Sequence, residues 1–430
     1  MPVRGFPFFF YFLEIDLPQE TQKISQMTQK NIERWKHILS ITGMTIVGLA
    51  VILSGSRAGM LALAAVIILG FFYLFQINKT QKILLGFALI LSLSSLYFIK
   101  RDSANGRLLI WHCSWEMIKE KPFNGFGTGG FKANYMNYQA KYFEENPNDK
   151  QAILADNINH PFNEYIGLII NYGLIGFLCF LIFLFLLIRA FRKNANKTLF
   201  SYIAASCLTA IAVFALFSYP LRYPFVWTVG LMSCLIILFQ SYNKTLKIFK
   251  TSYIVSIIIL LITSVVCIKS YGQLKAEMKW CKVAHLSLTG ETEQMLPEYQ
   301  ALHSKLYNNE LFLYNYAAEL NFSKHYEESL SVAQECERIW ADYDLQMLIA
   351  DNYQQLKDYT KAEQYYLTAA AMCPVKLTPL YSLAKMYEET GRQSEAVAIA
   401  QQILSVSQGW RGEKSSKRAI MRNNFQSLRF

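Results

Sequence analysis

The chain has 430 residues, of which 53% are hydrophobic and only 17% charged. Soluble domains carry about a quarter charged residues, so the composition excludes a wholly soluble protein; the first two-thirds holds long apolar runs and the last third reads as ordinary soluble sequence. The net charge of +11 is spread through short loops between apolar runs, which argues against a nucleic-acid surface, and the eight cysteines form no CxxC pair and no metal spacing.

Residues 1–37 open with Phe6–Leu13, which is apolar and aromatic but too short to span a bilayer. It lacks the basic start and cleavage site of a signal peptide. The segment reads as cytoplasmic, a truncated remnant that includes the stump of an earlier helix. A span needs about 20 mostly apolar residues. Candidates lie at 38–53, 59–77, 83–99, 167–188, 199–218, 225–240 and 252–268, and together they predict a transmembrane domain over 38–270. Short loops rich in Lys and Arg stay cytoplasmic. Such loops hold Lys79 and Lys82; Arg189, Arg192, Lys193 and Lys197; and Lys244, Lys247 and Lys250. The segment before the first span adds Lys23, Lys30, Arg34 and Lys36. The opposite short loops hold only Arg57 and Arg222. The large loop at 100–166 and everything after 268 therefore face outward, into the periplasm if the membrane is a bacterial inner membrane.

On that outer face, Arg57 sits in Ser54-Gly55-Ser56-Arg57-Ala58-Gly59. An arginine at a span end commonly snorkels to the interface. Small neighbours also let a bulky anion approach, and the guanidinium fork suits phosphate. In the large loop, 107–120 predicts an amphipathic helix with Arg107 at its start. Gly125, Gly127 and Gly130 formally spell GxGxxG, but no strand precedes them, so a tight turn is the reading and a dinucleotide site is rejected. The loop ends in Asn159-His160-Pro161-Phe162-Asn163-Glu164-Tyr165. A neutral histidine there can accept a proton from a hydroxyl, whereas its plain reading is a surface side chain. Asn163 and Glu164 either orient His160, with a weaker substrate-binding role, or cap the next helix. Arg222, between Tyr219 and Tyr223, is a further outer-face cation, either an interfacial anchor or a contact for phosphate or glycan.

The last third repeats. Ala317, Ala350 and Ala384 are 33 and 34 apart, and Ser329, Ala362 and Ala396 take the same steps. A period of 34 with small residues where helices cross predicts tetratricopeptide-like repeats over 276–405, with turns at Lys357-Asp358-Tyr359 and Gly391-Arg392-Gln393. Such arrays bind protein segments in a concave groove or serve as rigid spacers. Residues 406–430 form a basic tail. The fold class is all-α: a polytopic helix bundle followed by a helical-repeat domain.

Five motifs now stand in order: Ser-Arg-Ala-Gly at a span start, an Arg near Ile110-Trp111, Pro122-x-x-Gly-x-Gly, His160-x-x-Asn-Glu, and Asn171-Tyr-Gly-Leu-Ile-Gly. Over 38–240 the chain resembles the O-antigen ligase and O-antigen polymerase superfamily. The resemblance implies a membrane glycosyltransferase that moves a glycan from undecaprenyl pyrophosphate to an acceptor at the periplasmic face, the acceptor being lipid A core, protein or another surface molecule. It implies Arg57 and Arg107 as holders of pyrophosphate, His160 as activator of the acceptor, and no metal or other cofactor. Family members carry about twelve spans, with several before the Ser-Arg motif, where this chain offers one. An O-antigen polymerase, or a non-catalytic membrane anchor presenting the repeats to a protein partner, are the alternative readings. A transporter fits less well, because ionisable residues are nearly absent from the span interiors.

Overall fold

The computed structural model describes residues 35, 38–39, 41–74, 78, 80, 101–193, 198–241 and 253–411. The 83–99 candidate span, most of the 1–37 segment, Lys79, Lys82, Lys197, Lys244, Lys247 and Lys250, and the tail from 412 lie outside them. Among the described residues every regular element is helical.

Three helical runs are long and apolar enough to cross a membrane: Glu164–Lys193, Pro224–Ser241 and Val255–Leu306. Ile41–Leu53, Arg57–Gly70 and Leu199–Ala215 are apolar but shorter. Six of the seven candidate spans thus fall on apolar helices, three of them long enough to cross, and the seventh lies outside the described residues. At 199–218 the apolar window overruns the helix, which ends at Ala215; Pro220 holds only Tyr219, the residue before it, out of helical geometry.

We number the helices in chain order. α1 (Ile41–Leu53) and α2 (Arg57–Leu74) meet at a turn through Gly55, φ 60°. Ser56 Oγ accepts from Gly59 N at 3.1 Å and so caps α2. α3 (Arg101–Glu120) and α4 (Gly130–Glu145) lie in the large loop at 100–166. α5 (Glu164–Lys193) begins at the Asn163 cap, whose Oδ1 accepts from Tyr165 N at 2.9 Å and Ile166 N at 3.1 Å. α6 (Leu199–Ala215) packs between α2 and α7 (Pro224–Ser241). The remaining faces expose Leu178, Leu181, Phe183, Phe185, Leu231 and Phe239, as lipid-facing helices do.

α5 is broken at Gly173 (φ 65°, ψ −169°). The glycine-rich turn fills the break: Phe126 N and Gly127 N donate to Ile170 O and Asn171 O at 2.8 Å each, and Leu174 N donates to Pro122 O at 2.8 Å. A Cβ on Gly173 would lie 2.0 Å from Phe123 O, and one on Gly125 2.5 Å from Ile170 O. The two glycine motifs are therefore one backbone joint, which satisfies the groups that the broken helix frees.

α8 (Tyr253–Leu286) leaves the apolar region as one continuous helix and, after a wide turn at Gly290, leads into α9 (Thr292–Leu306). Three helix pairs follow: α10 (Glu310–Phe322) with α11 (Tyr326–Glu337), α12 (Tyr343–Gln355) with α13 (Tyr359–Met372), and α14 (Thr378–Glu389) with α15 (Gln393–Arg411). Each pair turns on one left-handed residue, Lys324 (φ 65°), Lys357 (φ 64°) or Gly391 (φ 75°). Behind it His325, Asp358 and Arg392 donate five residues back, which ends a helix with its carbonyls satisfied. The small residues Ala317, Ser329, Ala350 and Ala362 are fully buried where these helices cross.

The stack is not separate from the large loop. One buried cluster joins Met136, Ala140, Phe143 and Ala155 of the loop to Ala369, Met372 and Cys373 of the stack. Gln139 Nε2 crosses this boundary to Met372 O at 2.7 Å.

Candidate functional site

The site grows from three places that the fold brings together. Arg57 is the first residue of α2, just past the Ser56 cap, where the exposed N–H groups of a helix favour an anion. Arg107 lies in α3, half-buried and close enough to Arg57 for the two charges to interact. Burial, then repulsion from Arg57, holds the Arg107 guanidinium below the ordinary arginine value. Holding two cations together is unfavourable until an anion arrives between them.

The Arg107 guanidinium lies 5.7 Å from the centre of the Phe162 ring. Phe162 has φ 52°, a left-handed conformation that strains a bulky residue. His160 lies two residues before Phe162. There the imidazole stacks on Tyr219, with centroids 4.7 Å apart, and Phe162 meets the edge of the same ring at 5.4 Å. Arg222 Nη1 lies 2.8 Å from His160 Nε2. A guanidinium only donates, so Nε2 accepts and the ring proton sits on Nδ1. His160 is half-buried, and burial first, then the Arg222 and Lys132 charges, hold its pKa below the usual histidine value. It is a neutral ring with a lone pair at Nε2, the state a general base needs.

The structure thus gathers Arg107, His160 and Arg222 around the Phe162–Tyr219 pair, with Arg57 within electrostatic reach of Arg107. Asn163 and Glu164 hold the surrounding backbone. Asn163 caps α5, and Glu164 Oε1 accepts from Leu221 N at 2.9 Å, which fixes the 219–222 turn that presents Tyr219 and Arg222. Three contributors escape the sequence reading. Tyr219 is the stacking platform. Trp111 Nε1 donates to Pro161 O at 2.9 Å, and Trp340 Nε1 donates to Asn159 Oδ1 at 2.8 Å. Trp111 stands in a quoted motif beside Arg107; nothing in sequence spacing links Trp340 to residue 159. Among the described residues no cluster of His, Cys, Asp and Glu side chains is placed to hold a metal ion.

Residues 42–181 match the family model described as O-Antigen ligase. The matched stretch takes in Arg57, Arg107, His160, Asn163, Glu164 and both halves of the glycine joint; Arg222 and the helical stack lie beyond it. With the apolar helices, the match supports an integral membrane protein of ligase or glycosyltransferase type, acting on lipid-linked glycan and acceptor substrates in general. No curated protein matches the chain. Among solved structures, a protein described as a MamA RS-1 ArsTM double mutant is similar at 15% identity and a TM-score of 0.30, over 32% of this chain and 78% of that one.

Proposed function

We propose that the protein transfers a glycan from undecaprenyl pyrophosphate to an acceptor hydroxyl at the periplasmic face of a bacterial inner membrane. The observation that carries this reading is an Arg222-bonded, neutral histidine stacked on Tyr219, with Arg107 against the Phe162 ring of the same aromatic pair and Arg57 within electrostatic reach of Arg107. In the reaction the acceptor oxygen attacks the anomeric carbon, and the bond from that carbon to the pyrophosphate oxygen breaks. His160 Nε2 takes the hydroxyl proton, and undecaprenyl pyrophosphate leaves carrying the electron pair. Negative charge grows on the leaving group as the bond breaks, so fixed cations there lower the barrier more than they tighten binding. The incoming hydroxyl replaces Arg222 at Nε2, which frees that guanidinium for phosphate or glycan. Direct displacement inverts the anomeric centre.

The acceptor is a lipid A core, a protein or another surface molecule. The helix pairs at 310–411 fit a tetratricopeptide-like module that brings a protein partner near the site. Complementation of a strain lacking the gene tests the reading. The gene from its genomic start restores lipid-linked glycan transfer, and well-inserted His160→Ala and Arg57→Ala chains lose it. Normal transfer by both variants rejects the catalytic assignment.

A further inference from the structure

The segment that carries His160 is held from two sides. From the loop, Trp111 donates to Pro161 O. From the helical stack, some 180 residues later in the chain, Trp340 donates to Asn159 Oδ1 across a sequence separation of 181. Two residues further on, the fully buried Asp342 accepts from Asn157 Nδ2 at 2.6 Å through Oδ2, while its Oδ1 takes Asp344 N and Leu345 N and caps α12. The link between α11 and α12 therefore grips residues 157 and 159, and His160 is the next residue along. Lys132 completes the joint. Its carbonyl accepts from Ala341 N at 3.1 Å, its ammonium pairs with Glu310, and that ammonium lies 6.0 Å from the centre of the Trp340 ring.

We infer that the helical stack is a structural part of the catalytic site, with Trp340 and Asp342 as positioning residues that hold the 157–160 segment and so fix His160 against Arg222 and Tyr219. The inference rests on the transferase reading above. A base held by a loop alone samples many positions, and a misplacement of about 1 Å costs on the order of 100-fold in rate. The polar grip at 157 and 159 removes that freedom. The wider junction does not depend on it, because Gln139 to Met372 and the Met136–Met372 apolar cluster hold the stack to the loop independently.

The test uses the full chain in native membranes, with undecaprenyl-pyrophosphate-linked oligosaccharide extracted from the same cells as donor and the acceptor those membranes contain. Rates are read as loss of glycan from the lipid fraction across pH. His160→Ala comes first: if it transfers normally, the transferase reading fails and this inference with it. If it is inactive, Trp340→Phe and Asn159→Leu, which delete one hydrogen bond from opposite ends, each lower the maximal rate about 10-fold or more with an unchanged KM for donor. The double variant is no slower than either single one. The acid limb moves to higher pH, because a loosened ring escapes the charges of Arg222 and Lys132, while hydrogen-exchange protection at 130–145 and 359–372 stays as in the parent. Parental rate and pH profile in both variants overturn the positioning role and leave the transferase reading standing. A lower rate with an unmoved acid limb, or with lost protection at the junction, reports general loosening and overturns it equally.

Discussion

Arg222 donates to His160 Nε2 at 2.8 Å, and that contact fixes which ring nitrogen carries the lone pair. It also sets a pH dependence. Burial, Arg222 and Lys132 all disfavour the protonated ring, so the basic form persists to lower pH than an unshifted histidine allows. Arg222→Gln removes one of these charges, and the acid limb of the rate profile moves to higher pH. Rates measured from about pH 5 to 8 check this, around the ordinary histidine value near 6.5; a limb that stays put separates Arg222 from the base.

The same shift has a stability consequence. The unfolded His160 binds its proton more readily than the folded one. Stability is therefore lost as pH falls below about 6.5 towards the folded pKa. His160→Gln removes this contribution, and thermal unfolding of the purified protein at pH 5 and pH 8 shows the parent, not the variant, carrying the extra acid sensitivity.

Gly173→Ala places a methyl group 2.0 Å from Phe123 O at φ 65°. No side chain relaxes this, because the obstacle is backbone, and opening the joint strands the hydrogen bonds of residues 122–127 with 170–175. We expect a loss of roughly 3 kcal/mol or more, or failure to accumulate in the membrane. Gly272→Ala, which meets nothing within 4 Å in the exposed part of α8, is the control and should be neutral or mildly stabilising. Membrane levels and detergent melting curves read both.

Lys357→Gly should stabilise the helical stack by about 1 kcal/mol, since Lys357 occupies a left-handed position that glycine adopts without cost to its side chain. Lys324→Gly should behave alike. Gly391→Ala, at the equivalent turn, should destabilise by a similar amount. Calorimetry on the three variants decides whether the turns are energetically equivalent.

Asn352 is fully buried, donates to Ser329 Oγ at 2.8 Å and accepts from Asn321 Nδ2 at 3.0 Å; Ser329 Oγ in turn donates to Ala317 O at 2.7 Å. Asn352→Leu removes two hydrogen bonds, while Ser329 keeps Ala317 O and Asn321 keeps Asp351 Oδ2, and should cost about 1 kcal/mol. A double-mutant cycle with Ser329→Ala reads the coupling.

Much of this was legible in residue order. The periodic small residues Ala317, Ser329, Ala350 and Ala362 announced paired helices because close crossing requires them, and the fold buries all four. The ordered motifs singled out Arg107 and His160, and the fold brings both to the Phe162–Tyr219 pair. Contacts between distant segments were not legible. Gly173 and Phe123 meet through backbone, which leaves no complementary pair of side chains to notice, and Trp340 reaches Asn159 through a link with no period of its own. Asn163 shows the limit from the other side: capping and orienting His160 fit the same sequence, and only geometry assigns it to the cap.

α8 runs without a break from Tyr253 to Leu286. At 1.5 Å per residue it is a rod of about 50 Å. The stack meets this rod through the turn at Gly290 and is held further along to the 157–159 segment, so it is restrained from two sides. Under the proposed topology, lengthening α8 by one turn would shift the start of the stack by about 5 Å and load the contacts that Trp340 and Asp342 make with the His160 segment.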